Sequence, residues 1–320
     1  MTLYKTDDFT HYTVMLNETV DFLEIEKNPD GIYIDATLGG GGHSELILSK
    51  LSKKGKLISF DIDNDAINAA KKRLGERENH IIVKRSYTEI KDVLAELNIE
   101  KITGGIIFDL GASYHQLTKG ERGFSFQKDA PLDMRFNQEQ DFSAYDVVNS
   151  YSESDLVEIF SKYGEEHFSK RIAKAIVQNR PINTTLQLAD LIIKSTPKVK
   201  TSIHPATRVF QAIRIEVNKE LLNFENTLID VLTLLSCNAI ISVISFHSLE
   251  DRVVKHYFNE YSKECRCPIK QMICTCGGKI LEKITKKPVY ASDDELKNNP
   301  ASRSAKLRAA RKISEFGVNH

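Results

Sequence analysis

Apolar positions in the first third of the chain fall into short continuous runs, separated by stretches in which they recur every three to four residues. The runs at 32–35, 56–60, 80–83 and 105–108 predict strands, and the periodic stretches at 44–51, 64–74 and 88–97 predict helices. Strand and helix in alternation point to a parallel sheet covered on both faces, because joining two parallel strands takes a crossover about as long as a helix. The first part of the chain therefore reads as a doubly wound α/β domain.

The pattern then changes. Residues 113–136 are polar and punctuated by glycine, and 143–219 carry helical patterns at 155–163, 166–179, 186–195 and from about Pro205, with no convincing strand among them. A helix through about 235, a buried strand at 239–245 and a helix at 249–261 follow. After a cysteine-rich segment come two late strands, expected at 284–290 and 304–310. The α/β domain is thus expected in two parts, 1–115 and 216–320, with an all-helical insert at 116–215.

Composition narrows the function classes. At 320 residues, 41% hydrophobic and 28% charged, the chain has the make-up of a globular protein with room for two domains. Lys plus Arg (44) balances Asp plus Glu (44), so any nucleic-acid binding must use local basic surface. The first residues, MTLYKTDDFTHYTV, lack the basic and apolar regions of a secretory signal, and the longest apolar stretch, 228–246, is broken by Asp230 and by Ser236, Cys237 and Asn238. No membrane span is expected. Five cysteines, an odd number, do not suggest a disulfide framework, and a reducing cytoplasm is the expected location.

The stretch IYIDATLGGGGHSELIL (32–48) puts four glycines between a strand and a helix, at the sheet edge where α/β folds bind nucleotides. A triphosphate-binding loop needs Gly-Lys-Ser/Thr, whereas His43 and Ser44 follow here. A dinucleotide turn, Gly-x-Gly-x-x-Gly, is matched by Gly39 and Gly41 but broken by Ser44. Asp61, ending the second strand, is placed to accept hydrogen bonds from a ribose diol. That diol belongs to NAD and to S-adenosylmethionine alike, and geometry alone leaves both open.

Asp109 ends the next strand, GGIIFDLGASYHQL. Beyond it come ERGFSF (121–126), PLDMRF (131–136), HPATRVFQAIRIEVNKEL (204–221) and SFHSLEDR (245–252). Together with HYTVML (11–16) and the glycine turn, these segments resemble, in order and over nearly the whole chain, the bacterial 16S rRNA cytosine-N4 methyltransferases of the MraW/RsmH family. The resemblance implies a class I methyltransferase domain with a Rossmann-like sheet, split by a helical insert that recognises the substrate. It implies S-adenosyl-L-methionine as cofactor and, as substrate, a cytidine of 16S rRNA near the decoding centre, presented by the small ribosomal subunit. It also implies cofactor contacts at Gly41, Gly42, His43, Asp61, Tyr87, Asp109 and Gln116. One loop departs from the family: where it reads Gly-Val-Ser-Ser-Pro-Gln, this chain has Gly111-Ala112-Ser113-Tyr114-His115-Gln116, and the missing proline leaves φ at His115 unfixed.

Methyl transfer from a sulfonium needs alignment rather than a metal or a covalent intermediate. The exocyclic amine of cytosine is a poor nucleophile that a hydrogen-bond acceptor would help, and a carboxylate such as Asp109 is suited to it. Asp109 on the amine and Asp109 on the cofactor's methionine end both stand. Methylation at carbon 5 would call for a cysteine nucleophile, and Cys237 precedes its strand at the wrong edge. His247, just after the strand ending at Ser245, is the second catalytic candidate, although Ser248-Leu249-Glu250-Asp251 also fits a capping box that merely starts a helix.

For RNA, the helix from Pro205 aligns Arg208, Gln211, Arg214 and Asn218 opposite Val209, Ile213 and Val217, a pattern that any amphipathic surface helix shares. Further basic positions are Lys170, Arg171 and Lys174, Lys198 and Lys200, and the tail residues Arg303, Lys306, Arg308, Arg311 and Lys312. Phe124 and Phe126 could stack on a base or simply pack. Cys265, Cys267, Cys274 and Cys276 lie close enough in sequence to bind zinc, yet C-x-C repeated is less diagnostic than C-x-x-C, and thiols or a conditional disulfide fit as well. The pattern leaves the oligomeric state open. Two other functions compete: an NAD-dependent dehydrogenase, which lacks its third glycine and a hydride-transfer site, and a non-catalytic RNA-binding protein, for which the cofactor turn would be superfluous.

Overall fold

The computed structural model describes residues 5–6, 9–10, 13–111, 122–197, 204–268, 271 and 275–315. Gln116 and the departing Tyr114-His115 pair, with Lys198, Lys200 and Cys274, fall outside them. The chain divides into two compact units, one of residues 1–111 and 223–320, the other of 112–222. The exit expected at 215 would cut the helix Ala206–Asn218, which stays whole within the second unit.

In the first unit a two-stranded hairpin, Lys5–Thr6 with Phe9–Thr10, precedes α1 (Leu16–Asp21). The alternation then runs β1 (Ile32–Asp35), α2 (Gly42–Lys50), β2 (Lys56–Asp61), α3 (Asn64–Leu74), β3 (His80–Lys84), α4 (Ile90–Glu96) and β4 (Gly105–Asp109). The four strands are parallel neighbours, as continuous apolar runs require.

The second unit is helical: α5 (Ala144–Ser150), α6 (Glu153–Lys162), α7 (Ser169–Gln178), α8 (Thr185–Ser195) and α9 (Ala206–Asn218). Capping boxes at Ser143/Asp146, Ser152/Asp155 and Thr184/Gln187 satisfy the first-turn amides of three of these helices. Its core gathers Val147, Leu156, Phe160, Ile172, Ile176, Leu188, Ile192, Val209 and Ile213. Residues 122–126 and the PLDMRF segment brace this core. Arg135 forks onto Asp133 at 2.7 and 2.9 Å, while Arg122 donates to the carbonyls of Arg135 and Phe136 at 2.9 and 3.2 Å.

The chain continues through α10 (Glu220–Leu234), β5 (Ile240–Ser245), α11 (Ser248–Tyr261), β6 (Leu281–Lys283), α12 (Asp293–Asn298) and β7 (Lys306–Lys312). The sheet order is β3-β2-β1-β4-β5-β7-β6, with β5 parallel to β4 and both β7 and β6 paired antiparallel. Alternate residues on the strands feed two cores. Ile34, Ile58, Phe60, Ile106 and Phe108 pack with α4, α10 and α11, whereas Tyr33, Leu57 and Ile107 pack with α1, α2 and α3. The strand expected at 284–290 is misplaced: the ladder to β7 is made by Leu281–Lys283, and past Pro288 only Val289 bridges back to Leu307. Among the described residues no helix is long and apolar enough to cross a membrane.

Candidate functional site

Five sequence-predicted positions converge at the carboxyl edge of the first unit's sheet because each follows or ends a parallel strand: the glycine turn after β1, Asp61 on β2, Tyr87 after β3, Asp109 on β4 and His247 after β5. Main-chain bonds set the turn. Leu38 donates to the Phe60 carbonyl at 2.8 Å and Gly41 to the Leu38 carbonyl at 2.8 Å, while Gly39 donates to Asp61 Oδ2 at 2.9 Å. Gly39 (φ 48°) and Gly41 (φ 77°) hold left-handed backbone, and a Cβ at Gly41 would press on Ala70 and Leu74 of α3 at 3.2–3.4 Å.

Gly42 is a glycine for a different reason: a Cβ there would lie 1.8 Å from Thr13 Oγ1. The segment that contains Thr13 therefore packs against the turn. His43, which is buried, aims Nε2 at the carbonyl of Val14, 3.2 Å away. This gives Thr13 and Val14 of the HYTVML segment a packing role that no sequence periodicity revealed.

A buried polar chain beneath the turn was also missed. Asp35, fully buried, accepts Ser44 Oγ at 2.7 Å and the Thr37 N–H at 3.1 Å. Ser44 lies 2.9 Å from Ser59 Oγ, and Ser59 2.9 Å from His80 Nε2. With Ser44 donating to Asp35, each hydroxyl has one proton to give, so donation runs from His80 through Ser59 and Ser44 to the carboxylate. The signal was in plain view: an Asp closing an apolar strand, nine residues before a Ser in the first turn of a helix. Asp35 thereby serves the α2 N-terminus, where negative charge is favoured.

Burial pushes the Asp35 carboxyl up to about 6, against the hydrogen bonds from Ser44 and Thr37. It does the same to Asp61, also to about 6, against the N–H groups of Asp63 and Gly39. Asp109 is raised well above the usual carboxylate range by burial first, then by Asp35, Glu250 and Glu295. The backbone N–H of Asp109 donates to Thr37 Oγ1 at 2.7 Å, and its buried Oδ1 meets no hydrogen-bond donor among the described residues.

These residues fit a nucleoside-bearing, positively charged cofactor. Asp61 accepts two N–H groups, from Gly39 and Asp63, each at 2.9 Å, and a carboxylate has lone pairs for more. Tyr87 sets its ring edge-on to Phe108 with centroids 5.7 Å apart, at the same sheet edge. Asp109 offers the orphaned acceptor.

His247 is the N-cap of α11. Its side chain accepts the Glu250 N–H at 3.3 Å, and Glu250 Oε2 accepts the N–H groups of Phe246 and His247 at 2.8 and 3.2 Å. The capping box therefore pairs His247 with Glu250, one residue earlier than the Ser248/Asp251 pairing expected from sequence.

Several residues proposed to meet RNA are used inside their own unit. Phe124 is buried and stacked on Phe136 at 5.4 Å, and Phe126 is stacked on His204 at 4.4 Å, so both pack. Arg214 forks onto Glu220 at 2.9 and 3.0 Å, Gln211 donates to the Tyr163 carbonyl at 3.0 Å, and Asn218 donates to the Met134 carbonyl at 2.8 Å. In the tail, Arg308 holds Asp251, Arg311 holds Glu24, and the fully buried Lys312 donates to the carbonyls of Leu232 and Leu235 and to Glu315. Lys170, Arg171 and Lys174 are exposed on α7, opposite its buried Ile172, Ala173 and Ile176.

The sheet order, the glycine turn after β1 and the acidic ends of β2 and β4 define a class I methyltransferase. The profile of the MraW methylase family matches residues 8–313, and the chain belongs to that family. It is an S-adenosylmethionine-dependent methyltransferase, and the dehydrogenase reading falls away. The chain is similar to proteins named ribosomal RNA small subunit methyltransferase H. The one from Clostridium botulinum (strain Loch Maree, type A3) is 53% identical over 311 residues, covering 96% of this chain and 100% of the relative. That from Brevibacillus brevis is 47% identical over 315 residues, covering 96% and 99%.

Proposed function

We propose that this protein methylates the N4 amine of a cytidine in 16S rRNA near the decoding centre, acting in the cytoplasm on RNA presented by the small ribosomal subunit. The relatives' names support the RNA class. The observation that carries the chemistry is the buried Asp109 Oδ1, an acceptor without a donor among the described residues at the edge where the cofactor turn lies.

When bound, S-adenosylmethionine supplies an electrophilic methyl group on sulfur. This chain's residues then have the work of holding and aligning. Asp61 would accept the ribose hydroxyls and Tyr87 would offer its ring to the adenine, while the left-handed Gly41 gives the main chain its tight turn at that edge. Asp109 accepts an N–H of the target amine, drawing its lone pair out of the ring's delocalisation as the nitrogen becomes tetrahedral. Burial helps, because a hydrogen bond strengthens where water is excluded. His247, fixed by Glu250, positions the start of α11 beside this edge. In the helical unit, which selects the RNA, the exposed Lys170, Arg171 and Lys174 take the phosphate-contacting role first expected of α9.

The test is methyl transfer to small subunits that lack the modification, followed by nucleoside analysis. N4-methylcytidine is the expected product. A 5-methyl product, or cofactor binding without transfer to any RNA, would overturn the reading, the latter in favour of a non-catalytic RNA-binding protein.

A further inference from the structure

Beyond α11 the chain makes a loop before β6 in which Cys265, Cys267 and Cys276 bring their sulfurs within 4.8 Å of one another. Sγ of Cys265 and Sγ of Cys276 are 4.0 Å apart, and no disulfide joins the described cysteines. A disulfide needs sulfurs about 2.05 Å apart. Thiolates sharing a tetrahedral zinc at about 2.3 Å stand about 3.8 Å from each other. The Cys265–Cys276 separation is close to that of two ligands on one ion, and the Cys267 sulfur lies within 4.8 Å of both.

We propose that Cys265, Cys267 and Cys276 hold a structural zinc ion. The main chain is already arranged for thiolates. The N–H of Arg266 donates to Cys276 Sγ at 3.1 Å, that of Cys267 to Cys265 Sγ at 3.4 Å, and that of Thr275 to Cys267 Sγ at 3.3 Å. Each sulfur thus receives a backbone donor. Three backbone N–H groups converging on three clustered sulfurs form the kind of outer-shell hydrogen bonding that orients metal-ligating side chains. The Arg266 guanidinium adds positive charge beside them: it donates to the carbonyls of Cys276 and Gly278 and lies 5.4 Å from the centre of the Tyr261 ring.

Soft thiolates also select zinc over the harder divalent ions. Cys274 lies outside the described residues, so the site rests on the other three cysteines, with a fourth position for another thiolate or water. Among the described residues of this segment Cys265 is exposed and Cys267 and Cys276 are half-buried. Its ends are tied by the Ile280 N–H donating to the Tyr261 carbonyl at 2.9 Å, and a metal would supply the rest of its folding energy.

The test uses the full chain, purified under reducing conditions. Elemental analysis should find about one zinc per chain. Cobalt(II) added to the stripped protein should give the intense visible bands of tetrahedral thiolate coordination, which zinc then abolishes. Cys265→Ser and Cys276→Ser should each lose most of the metal, whereas Cys237→Ser, which is not part of the cluster, should keep it. Because the unaltered protein is itself titrated with cobalt, a variant that misfolds does not decide the matter. No zinc as purified together with no cobalt bands, or a disulfide among these cysteines that persists in reductant, would overturn the proposal.

Discussion

His43 places Nδ1 3.8 Å from Oδ2 of Asp109, while its Nε2 faces the Val14 carbonyl at 3.2 Å. A carbonyl can only accept, so Nε2 carries a proton and Nδ1 is the ring nitrogen on the side of the carboxyl. The separation is too long for a hydrogen bond. Asp109 therefore keeps its acceptor capacity for a ligand, in a setting where burial and three other carboxyl groups resist its ionisation. A cation or a polarised amine at this spot restores the charged form.

Asp109→Asn preserves shape and removes the charge. Methyl transfer should fall by about a hundredfold or more, as when one group aimed at the reacting atoms is lost. S-adenosylmethionine affinity should stay within a few fold if the carboxylate serves the amine. Single-turnover rates and calorimetric titrations on the same preparation separate the two roles: a large loss of affinity would assign Asp109 to the methionine end instead.

Asp61 ties β2 to the glycine turn through Gly39 and has acceptor capacity left. Asp61→Ala should weaken S-adenosylmethionine binding by about 1.5 to 3 kcal/mol for each charge-assisted hydrogen bond lost, roughly tenfold or more in Kd. Calorimetry on a folded variant decides it, and unchanged affinity would mean that the ribose is held elsewhere.

The sheet was legible because its strands, buried on both faces, read as unbroken apolar runs, and because residues ending parallel strands must meet at one edge. That logic found Asp61 and Asp109. It could not show what opposite charges do across the fold. The partners of Arg308, Arg311 and Lys312 are Asp251, Glu24 and Glu315, and nothing in a local charge pattern pairs Arg311 with a residue 287 positions away. The late strand was misplaced because Ile284 to Tyr290 has the β-branched and aromatic content of a strand, whereas Pro288 cannot donate to a ladder.

Asp35 makes one separable contribution to the pH response of the ligand-free protein, and His80, which burial holds down to about 4, opposes it over the same range. The folded value of about 6 at Asp35 lies above the ordinary 3.8, so between those values this group binds more protons in the native state than in the unfolded chain. The Asp35 contribution to stability should therefore fall as pH rises from about 4 to about 6, the reverse of a salt-bridged carboxylate, by roughly 3 kcal/mol at most. Asp61 titrates over the same range and faces Asp35, so the two act as a coupled pair. Asp35→Asn should remove this one contribution from the profile, leaving those of Asp61, Asp109 and His80, and raise the melting temperature at pH 8. The net gain should be only about 1 kcal/mol, because one acceptor oxygen becomes an amide nitrogen. A variant that melts below the parent at pH 8 with the same pH profile would show that the hydrogen bonds from Ser44 and Thr37 outweigh burial.

The RNA surface can be separated from the scaffold by salt. Lys170, Arg171 and Lys174 stand exposed on α7, whereas Arg214 forks onto Glu220 with its side chain only 16% exposed. If the α7 residues contact phosphates, each releases counterions on binding, and changing all three to Ala should lower the slope of log K against log salt by about 0.7 to 0.9 per residue. Cofactor affinity should not move. Arg214→Ala should behave differently. Losing a bidentate, mostly buried ion pair should cost about 2 kcal/mol of stability and leave the salt slope as it was. Filter binding to small-subunit RNA at several salt concentrations, paired with thermal melts, reads both effects. An unchanged slope in the triple variant, or a lowered slope with full stability in Arg214→Ala, would move the phosphate contacts from α7 to α9.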